Sequence, residues 1–349
     1  MSIVNQHNAR KQAYIENNPE SITWEITSAC NKRCSFCYHS PDQIRVPYHI
    51  SVQEVNNVLA LIQQLKIKHV ALTGGEPILH PCFKGILKSL RSTVDNVTVF
   101  TNGIACNTTV CEYITERDCS INYSFDLDDP LSESYLRKLR SAVSDNRITV
   151  SVVYNGQDVG QTIKQIAGIR NYFSGDVQVN IAQFKGHAAY SSEAVEKMLE
   201  IAKILVGYRM QGVLSVTGQH ISVPINNYFS PSRAISFGCS IGNSLKVDID
   251  GNIFPCPFFT SAVFSIGNAY KHSYPPIDMG KILMLKELLF SRVEHVTKCI
   301  ECKWRFFCGG GCLVCLETSC YENHSTVNPI CCRINKTVYE YINSVWEMY

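Results

Sequence analysis

The chain has 349 residues, 45% of them hydrophobic, which is enough to bury one large domain and a smaller one. Its 32 Lys and Arg against 30 Asp and Glu leave a formal net charge of +2 with no long run of one sign, so no nucleic-acid groove is expected. Residues 1–20 are polar and mixed in charge, and no apolar run resembles a signal peptide or approaches a membrane span; the expectation is a cytoplasmic protein with no membrane partner.

Short β-rich runs alternate with helical patterns over the first two-thirds. Ile22–Thr27 reads as a strand, and Ser51 caps a helix to about Lys66 with Glu54 as its capping-box partner. His69–Thr73 is a strand, followed by a helix near Phe83–Leu90. Strands at Val97–Thr101 and Ile121–Phe125 are separated by a helix over about Thr108–Arg117. A helix over Ser132–Ser141 leads to strand Ile148–Tyr154, a helix over Val159–Tyr172 leads to strand Val177–Ala182, and Glu193–Leu205 is helical. These β/α repeats predict an α/β fold, a partial (β/α)6 TIM-like barrel, over residues 1–225. Past that point the rhythm breaks. Val247–Ile249 and Asn252–Phe254 flank Asp250-Gly251, a hairpin signal. A loop-rich cysteine region and a closing helix over Lys336–Met348 complete a second unit, residues 226–349.

The 17 cysteines are the compositional anomaly. Their number is odd and no export signal precedes them, so in a reducing compartment close, regular spacing reads as metal ligation. Three lie within Cys30–Cys37 and ten within Cys239–Cys332. Cys82, Cys106, Cys111 and Cys119 are expected to fill core positions. Cys30, Cys34 and Cys37 follow the first strand directly. Three thiolates can hold three irons of a four-iron cluster and leave the fourth open, as a catalytic metal requires. Such a triplet arises by chance roughly 0.04 times in a chain of this composition. A zinc knuckle borrowing a fourth ligand is the competing reading.

C-x3-C-x2-C after the first strand, with Phe36 before the third cysteine, resembles the signature of the radical S-adenosylmethionine (SAM) superfamily. In that family SAM chelates the open iron, and electron transfer cleaves it to methionine and a 5′-deoxyadenosyl radical that abstracts hydrogen from the substrate. Further matches fall in order at strand ends. Thr73-Gly74-Gly75-Glu76-Pro77 is similar to the GGE motif that bonds SAM's amino group, where glycines admit close backbone approach and Glu76 pairs with the ammonium. Thr101-Asn102-Gly103 ends the third strand. Ser124 and Asp126, on the fourth, resemble positions that bind SAM's carboxylate and ribose, and Asn155 closes the fifth. Where relatives carry R-x-x-P-x-G-R-A near the sixth strand, this chain departs, with Gln183-Phe184-Lys185-Gly186-His187-Ala188.

Cys239, Cys256, Cys299-x2-Cys302-x5-Cys308-x3-Cys312 and Cys331-Cys332 resemble the seven-cysteine SPASM extension, which carries auxiliary four-iron clusters. By that resemblance Cys239, Cys256 and Cys312 hold the first, with Cys315 or Cys320 completing it or one iron staying open. Cys299, Cys302 and Cys308 hold the second with either Cys331 or Cys332. The implied cofactors are a SAM-binding [4Fe–4S] cluster, one or two auxiliary [4Fe–4S] clusters and SAM itself. Gly309–Gly311 suits backbone packed against a cluster, and a zinc ribbon is the competing reading of the block.

SPASM relatives mostly modify peptides, so the resemblance implies hydrogen abstraction from a ribosomally made peptide to form a crosslink, thioether or epimer. A radical dehydrogenase or epimerase of small molecules, and a non-enzymatic cluster protein, are the alternatives. Sulfatase-maturing relatives place a general-base Asp directly after the cysteine matching Cys256; here Pro257 stands there, which disfavours that activity. The first strand begins about twenty residues into the chain, leaving no room for an N-terminal recognition domain. A separate peptide-recognition protein and an electron donor such as flavodoxin or ferredoxin are the implied partners. Asp128, Asp129, His39, His187 and Tyr154 are candidate acid–base groups, none preferred.

Overall fold

The computed structural model describes residues 11–37, 39, 46–154, 156–181, 192–211, 215–218, 239–271, 277–314 and 329–346. Its strands and helices alternate from the start: β1 (Ser21–Glu25), α1 (Val52–Leu65), β2 (His69–Thr73), α2 (Phe83–Arg91), β3 (Asn96–Thr101), α3 (Thr108–Thr115), β4 (Ser120–Asp126), α4 (Ser132–Arg140), β5 (Ile148–Tyr154), α5 (Val159–Arg170), β6 (Asp176–Ile181), α6 (Ser192–Met210) and β7 (Ser215–Gly218). The local chemistry explains the boundaries. The Ser51 hydroxyl accepts from the Glu54 amide at 3.3 Å while the Glu54 carboxylate accepts from the Ser51 amide at 2.7 Å, so α1 opens on the expected capping box. Asn107 and Asp158 cap α3 and α5 in the same way, each accepting from an amide three residues on.

The strands pair parallel in chain order from β1 to β7, so all six expected repeats are present and β7 adds a strand beyond them. Register assigns the two faces. Ile22, Trp24, Val70, Leu72, Val97, Val99, Ile121, Tyr123, Val150 and Val152 share the face beneath the helices, and all are buried in one core. The alternate positions, Thr23, Glu25, Thr73, Asn122, Ser124, Asp126 and Ser151, are polar. A strand with period-2 alternation must send one set away from the apolar layer, so this polar set lines the concave side.

The hairpin around Asp250-Gly251 forms as expected, from β8 (Ser244–Val247) and β9 (Asn252–Phe254), with β10 (Gly267–Asn268) paired to β9. β8 lies parallel to β1 on the edge away from β2, giving one open sheet in the order β10-β9-β8-β1-β2-β3-β4-β5-β6-β7. The cysteine region departs from the expected loop. It contains α7 (Met279–His295), α8 (Thr297–Ile300) and α9 (Arg305–Cys308) before the closing helix α10 (Pro329–Trp346). Asp278 caps α7 by accepting from Lys281, and Ile282, Leu285, Leu289, Phe290 and Val293 form its buried stripe. Ile241, Phe254, Cys256, Phe259, Leu313 and Val314 pack with that stripe in a second core, which Tyr14 joins. The Tyr14 hydroxyl donates to the carbonyls of Cys239 and Ile241 at 2.9 and 3.0 Å, tying the N-terminal segment to this core.

No helix among the described residues is long and apolar enough to cross a membrane. Cys106, Cys111 and Cys119 are buried as expected, whereas Cys82 is exposed. It precedes α2, whose apolar face is Phe83, Ile86, Leu87 and Leu90, and therefore falls outside the buried stripe.

Candidate functional site

The loop carrying Cys30, Cys34 and Cys37 leaves the carboxyl end of β1 and is fixed at its base by the turn after β2. The amides of Gly75 and Glu76 donate to the carbonyls of Thr27 and Ala29 at 2.6 and 2.7 Å. A Cβ on Gly74 would stand 2.3 Å from the Thr27 carbonyl oxygen, and one on Gly75 would stand 2.3 Å from that of Ala29. Both glycines are therefore required by the approach of the chain's own backbone just ahead of Cys30. Thr27 holds the other side, its hydroxyl donating to the Tyr48 carbonyl at 3.0 Å.

Glu76 is 1% exposed. It accepts from the Thr101 hydroxyl at 2.9 Å, the Asn102 amide at 2.8 Å and the Ile78 amide at 3.5 Å. Burial pushes its carboxyl up to about 7, with those three bonds opposing the rise. All three donors are neutral. The Asn102 side chain bridges to the cysteine loop, its amide donating to Asn31 Oδ1 at 2.9 Å and lying 3.8 Å from Cys30 Sγ.

Asp126 and Ser124 share the concave face of β4, Ser124 in register with Ser151 of β5. Asp126 is buried against Lys32, whose ammonium lies 3.0 Å from Asp126 Oδ2 and 2.6 Å from Asp129 Oδ2. Burial raises the thiols of Cys30 and Cys34, the latter up to about 12 against the pull of Lys32. Such thiols stay protonated unless a metal takes them as thiolates. Tyr154 is buried on the helix-facing side of β5, so it does not reach the polar face. Asn155, His187 and the Gln183–Ala188 segment lie outside the described residues.

The later cysteines form two groups. Burial raises the thiols of Cys239, to about 11, and of Cys256, and each feels Cys312 as a further raising influence. Burial likewise raises Cys299 and Cys308, and both feel Cys332. Cys332 is thus the member of the adjacent pair whose side chain is seen with Cys299 and Cys308; the side chain of Cys331 and the residues Cys315 and Cys320 lie outside the described set. Asn335, one turn after Cys332 on α10, donates to Cys308 Sγ at 3.3 Å. Tyr339 stacks on Trp304 at 5.3 Å and donates to the Phe307 carbonyl at 2.8 Å, which docks α10 on the turn bearing these thiols. Among the described residues no three His, Cys, Asp or Glu side chains close round a single-ion site.

Sequence reasoning passed over Lys32 and Asn335. Lys32 was visible as a cation between two of the cysteines, and Asn335 as an amide three positions after Cys332, the spacing of one helical face.

Residues 24–161 match the radical SAM superfamily, a span that holds the cysteine triplet, the turn after β2 and the end of β4. Mycofactocin maturase MftC of Mycobacterium ulcerans is 23% identical over 318 residues, 84% of this chain and 83% of its own. The antilisterial bacteriocin subtilosin biosynthesis protein AlbA of Bacillus subtilis is 22% identical over 331 residues, 87% of this chain and 69% of its own. Among solved structures, Streptococcus suis SuiB bound to S-adenosylmethionine superposes with a TM-score of 0.67 at 17% identity, covering 94% of this chain and 80% of that one. The sheet with a three-cysteine loop at its first strand and the sequence match over that same span agree on a radical SAM superfamily domain over residues 24–161.

Proposed function

We propose that the chain is a radical SAM enzyme of the SPASM type that abstracts hydrogen from a ribosomally made peptide. The observation that carries the cofactor assignment is Glu76. A carboxyl sealed from water, surrounded by three neutral donors and raised to about 7, is a poor anion by itself and a good one once an ammonium arrives. SAM's amino group supplies that cation. Cys30, Cys34 and Cys37 hold three irons of a [4Fe–4S] cluster, the backbone of Gly74 and Gly75 borders SAM, and Asn102, Ser124, Asp126 and Asn155 complete its site. A cluster and SAM bound there would supply one-electron reduction and hydrogen-abstraction chemistry. The chain's own part is to seat the cosubstrate: Asn102 ties the cysteine loop to the end of β3, and Lys32 ties it to the end of β4.

Residues 1–225 form the catalytic unit and residues 226–349 the auxiliary-cluster unit. Cys239, Cys256 and Cys312 hold one auxiliary cluster, with Cys315 or Cys320 as its fourth ligand or one iron left open. Cys299, Cys302 and Cys308 hold the other with Cys331 or Cys332, of which Cys332 is the one whose side chain is described near them. The peptide reading draws on the relatives, which include a bacteriocin biosynthesis protein, and on SuiB, which has also been solved bound to precursor peptide SuiA. The polar concave face, lined by Ser124, Ser151 and Asn122, suits a substrate rich in backbone amides. A reducing cytoplasm, an electron donor of the flavodoxin or ferredoxin class and a separate recognition protein belong to the same reading.

The test is anaerobic reconstitution followed by turnover with deuterated candidate precursor peptides encoded beside this gene. Deuterium in 5′-deoxyadenosine, with a matching mass change in the peptide, is the expected result. Label arriving only from a free metabolite would replace the peptide by a small molecule. Reductive SAM cleavage that survives simultaneous replacement of Cys30, Cys34 and Cys37 by alanine would end the radical SAM reading of this site.

A further inference from the structure

Three cations, Lys246, Lys286 and Arg292, are buried in the C-terminal part of the fold. The Lys286 ammonium is spoken for by the carbonyls of Tyr14 and Asn17 at 3.1 and 2.6 Å. Arg292 and Lys246 are different. Arg292, on α7, is 2% exposed, and Lys246, on β8, is 4% exposed. Neither forms an ion pair among the described residues. A buried cation with no carboxylate in contact is expensive, so a fold that keeps two of them favours an anion close by.

Their places identify it. The Arg292 guanidinium donates to the carbonyls of Gly310 and Gly311, in the three-residue link between Cys308 of one cysteine group and Cys312 of the other. Its Nε–H has no partner among the described residues. Gly310 adopts φ +76°, and a Cβ there would stand 3.2 Å from both Cβ and Nε of Arg292, so the glycine turn is shaped to the arginine. Lys246 sits in register with Phe254, its ammonium 4.8 Å from that ring's centroid, two residues before Cys256. That register places Lys246 beside the strand that leads into Cys256, on the side of the group of Cys239, Cys256 and Cys312. The carboxylate that Lys246 influences, Asp248, is already held by the amides of Asp250 and Asn252 and the Asn252 side chain.

We propose that Arg292 and Lys246 are fixed counter-charges for anionic iron–sulfur clusters, Arg292 set between the two cysteine groups and shared by both, Lys246 serving only the group of Cys239, Cys256 and Cys312. This rests on the cluster assignment above. A thiolate-ligated cluster gains negative charge on reduction, so a nearby fixed cation favours the reduced form and raises the potential. Arg292 then moves both potentials together, and Lys246 opens a difference between them. Both act as positioning residues in the electrostatic sense, without touching substrate.

The experiment is an EPR-monitored redox titration of the full chain, reconstituted anaerobically in the Cys30→Ala, Cys34→Ala, Cys37→Ala background so that only the auxiliary signals remain. Arg292→Gln is expected to lower the reduction equilibrium of both clusters at least tenfold, which is about 59 mV for a one-electron couple. Arg292→Lys, which keeps the charge, is expected to stay near the parent. Lys246→Met is expected to shift one cluster by a similar factor and leave the other in place. Unmoved potentials in Arg292→Gln at full iron content would overturn the shared role. If that variant fails to hold iron, Lys246→Met decides: two equal shifts, or none, would overturn the assignment. A parent chain that takes up zinc and no iron at these cysteines would instead remove the cluster reading on which the inference rests.

Discussion

Lys32 and Asp126 join the cysteine loop to the far side of the concave face, their charged atoms 3.0 Å apart with Asp129 completing the contact at 2.6 Å. The side chains are only 12%, 9% and 18% exposed, so the pair is better shielded than a surface salt bridge. Lys32→Met strands two neighbouring carboxylates and is expected to cost about 2 kcal/mol, read by denaturant unfolding of the metal-free chain. Lys32→Arg should recover most of it. Equal stability of Lys32→Met and the parent would show that the loop is held by its backbone bonds alone.

Glu76 carries a pH signature of opposite sign to an ordinary ion-paired carboxylate. Its folded-state value, about 7, lies above the usual 4.5, so between those values the folded chain binds the extra proton. Stability of the ligand-free protein is therefore highest below about pH 4.5 as far as this group is concerned, and is lost as pH rises through 7. Glu76→Gln removes that dependence. The variant should gain on the parent by up to about 3 kcal/mol at pH 8 and match it near pH 5, while SAM binding, followed by calorimetry, is lost. A parent whose stability difference from Glu76→Gln is flat between pH 5 and 8 would contradict the burial argument.

The same substitution at two glycines should have opposite signs. At Gly75 a methyl group meets the Ala29 carbonyl oxygen at 2.3 Å, and that oxygen belongs to backbone already bonded to Glu76. Gly75→Ala is expected to cost about 3 kcal/mol and to lower the iron retained by the first cysteine triplet. At Gly85, in the middle of α2, nothing lies within 4 Å of the added carbon. Gly85→Ala should stabilise by about 0.5–1 kcal/mol with iron unchanged. Urea midpoints and iron assays on both variants check the pair.

These contrasts show where the sequence was legible. Strand identity followed from period-2 alternation, and α1 from the Ser51–Glu54 box, because both are local signals. The ends of β2, β3 and β4 could be read because their residues recur in order. What could not be read is contact at long range. Nothing near Lys32 announces Asp126, 94 positions away in the chain and adjacent only after three β/α units fold. Asp278 and the stripe Ile282, Leu285, Leu289 did announce α7, but the surrounding cysteines drew the region toward a loop reading. Likewise β8 alone is four residues long, and only pairing with β1 gives it a place.

Asn335 ties α10 to the thiol group that Cys332 is proposed to complete. On α10 Cys331 and Cys332 precede Asn335 by four and three positions, and both spacings fall on its face. Asn335 is 4% exposed and donates to Cys308 Sγ, which places its face against the thiol group. Cys332→Ala should therefore remove about four irons per reconstituted chain. Cys82→Ala, at an exposed position before α2, should remove none. Asn335→Leu keeps the volume and deletes the N–H donor to sulfur; it should retain iron and shift the potential of the second auxiliary cluster downward, since a lost bond to sulfur disfavours the more negative, reduced state. Full iron in Cys332→Ala, or an unmoved potential in Asn335→Leu, would mean that α10 closes the domain without contributing to the cluster.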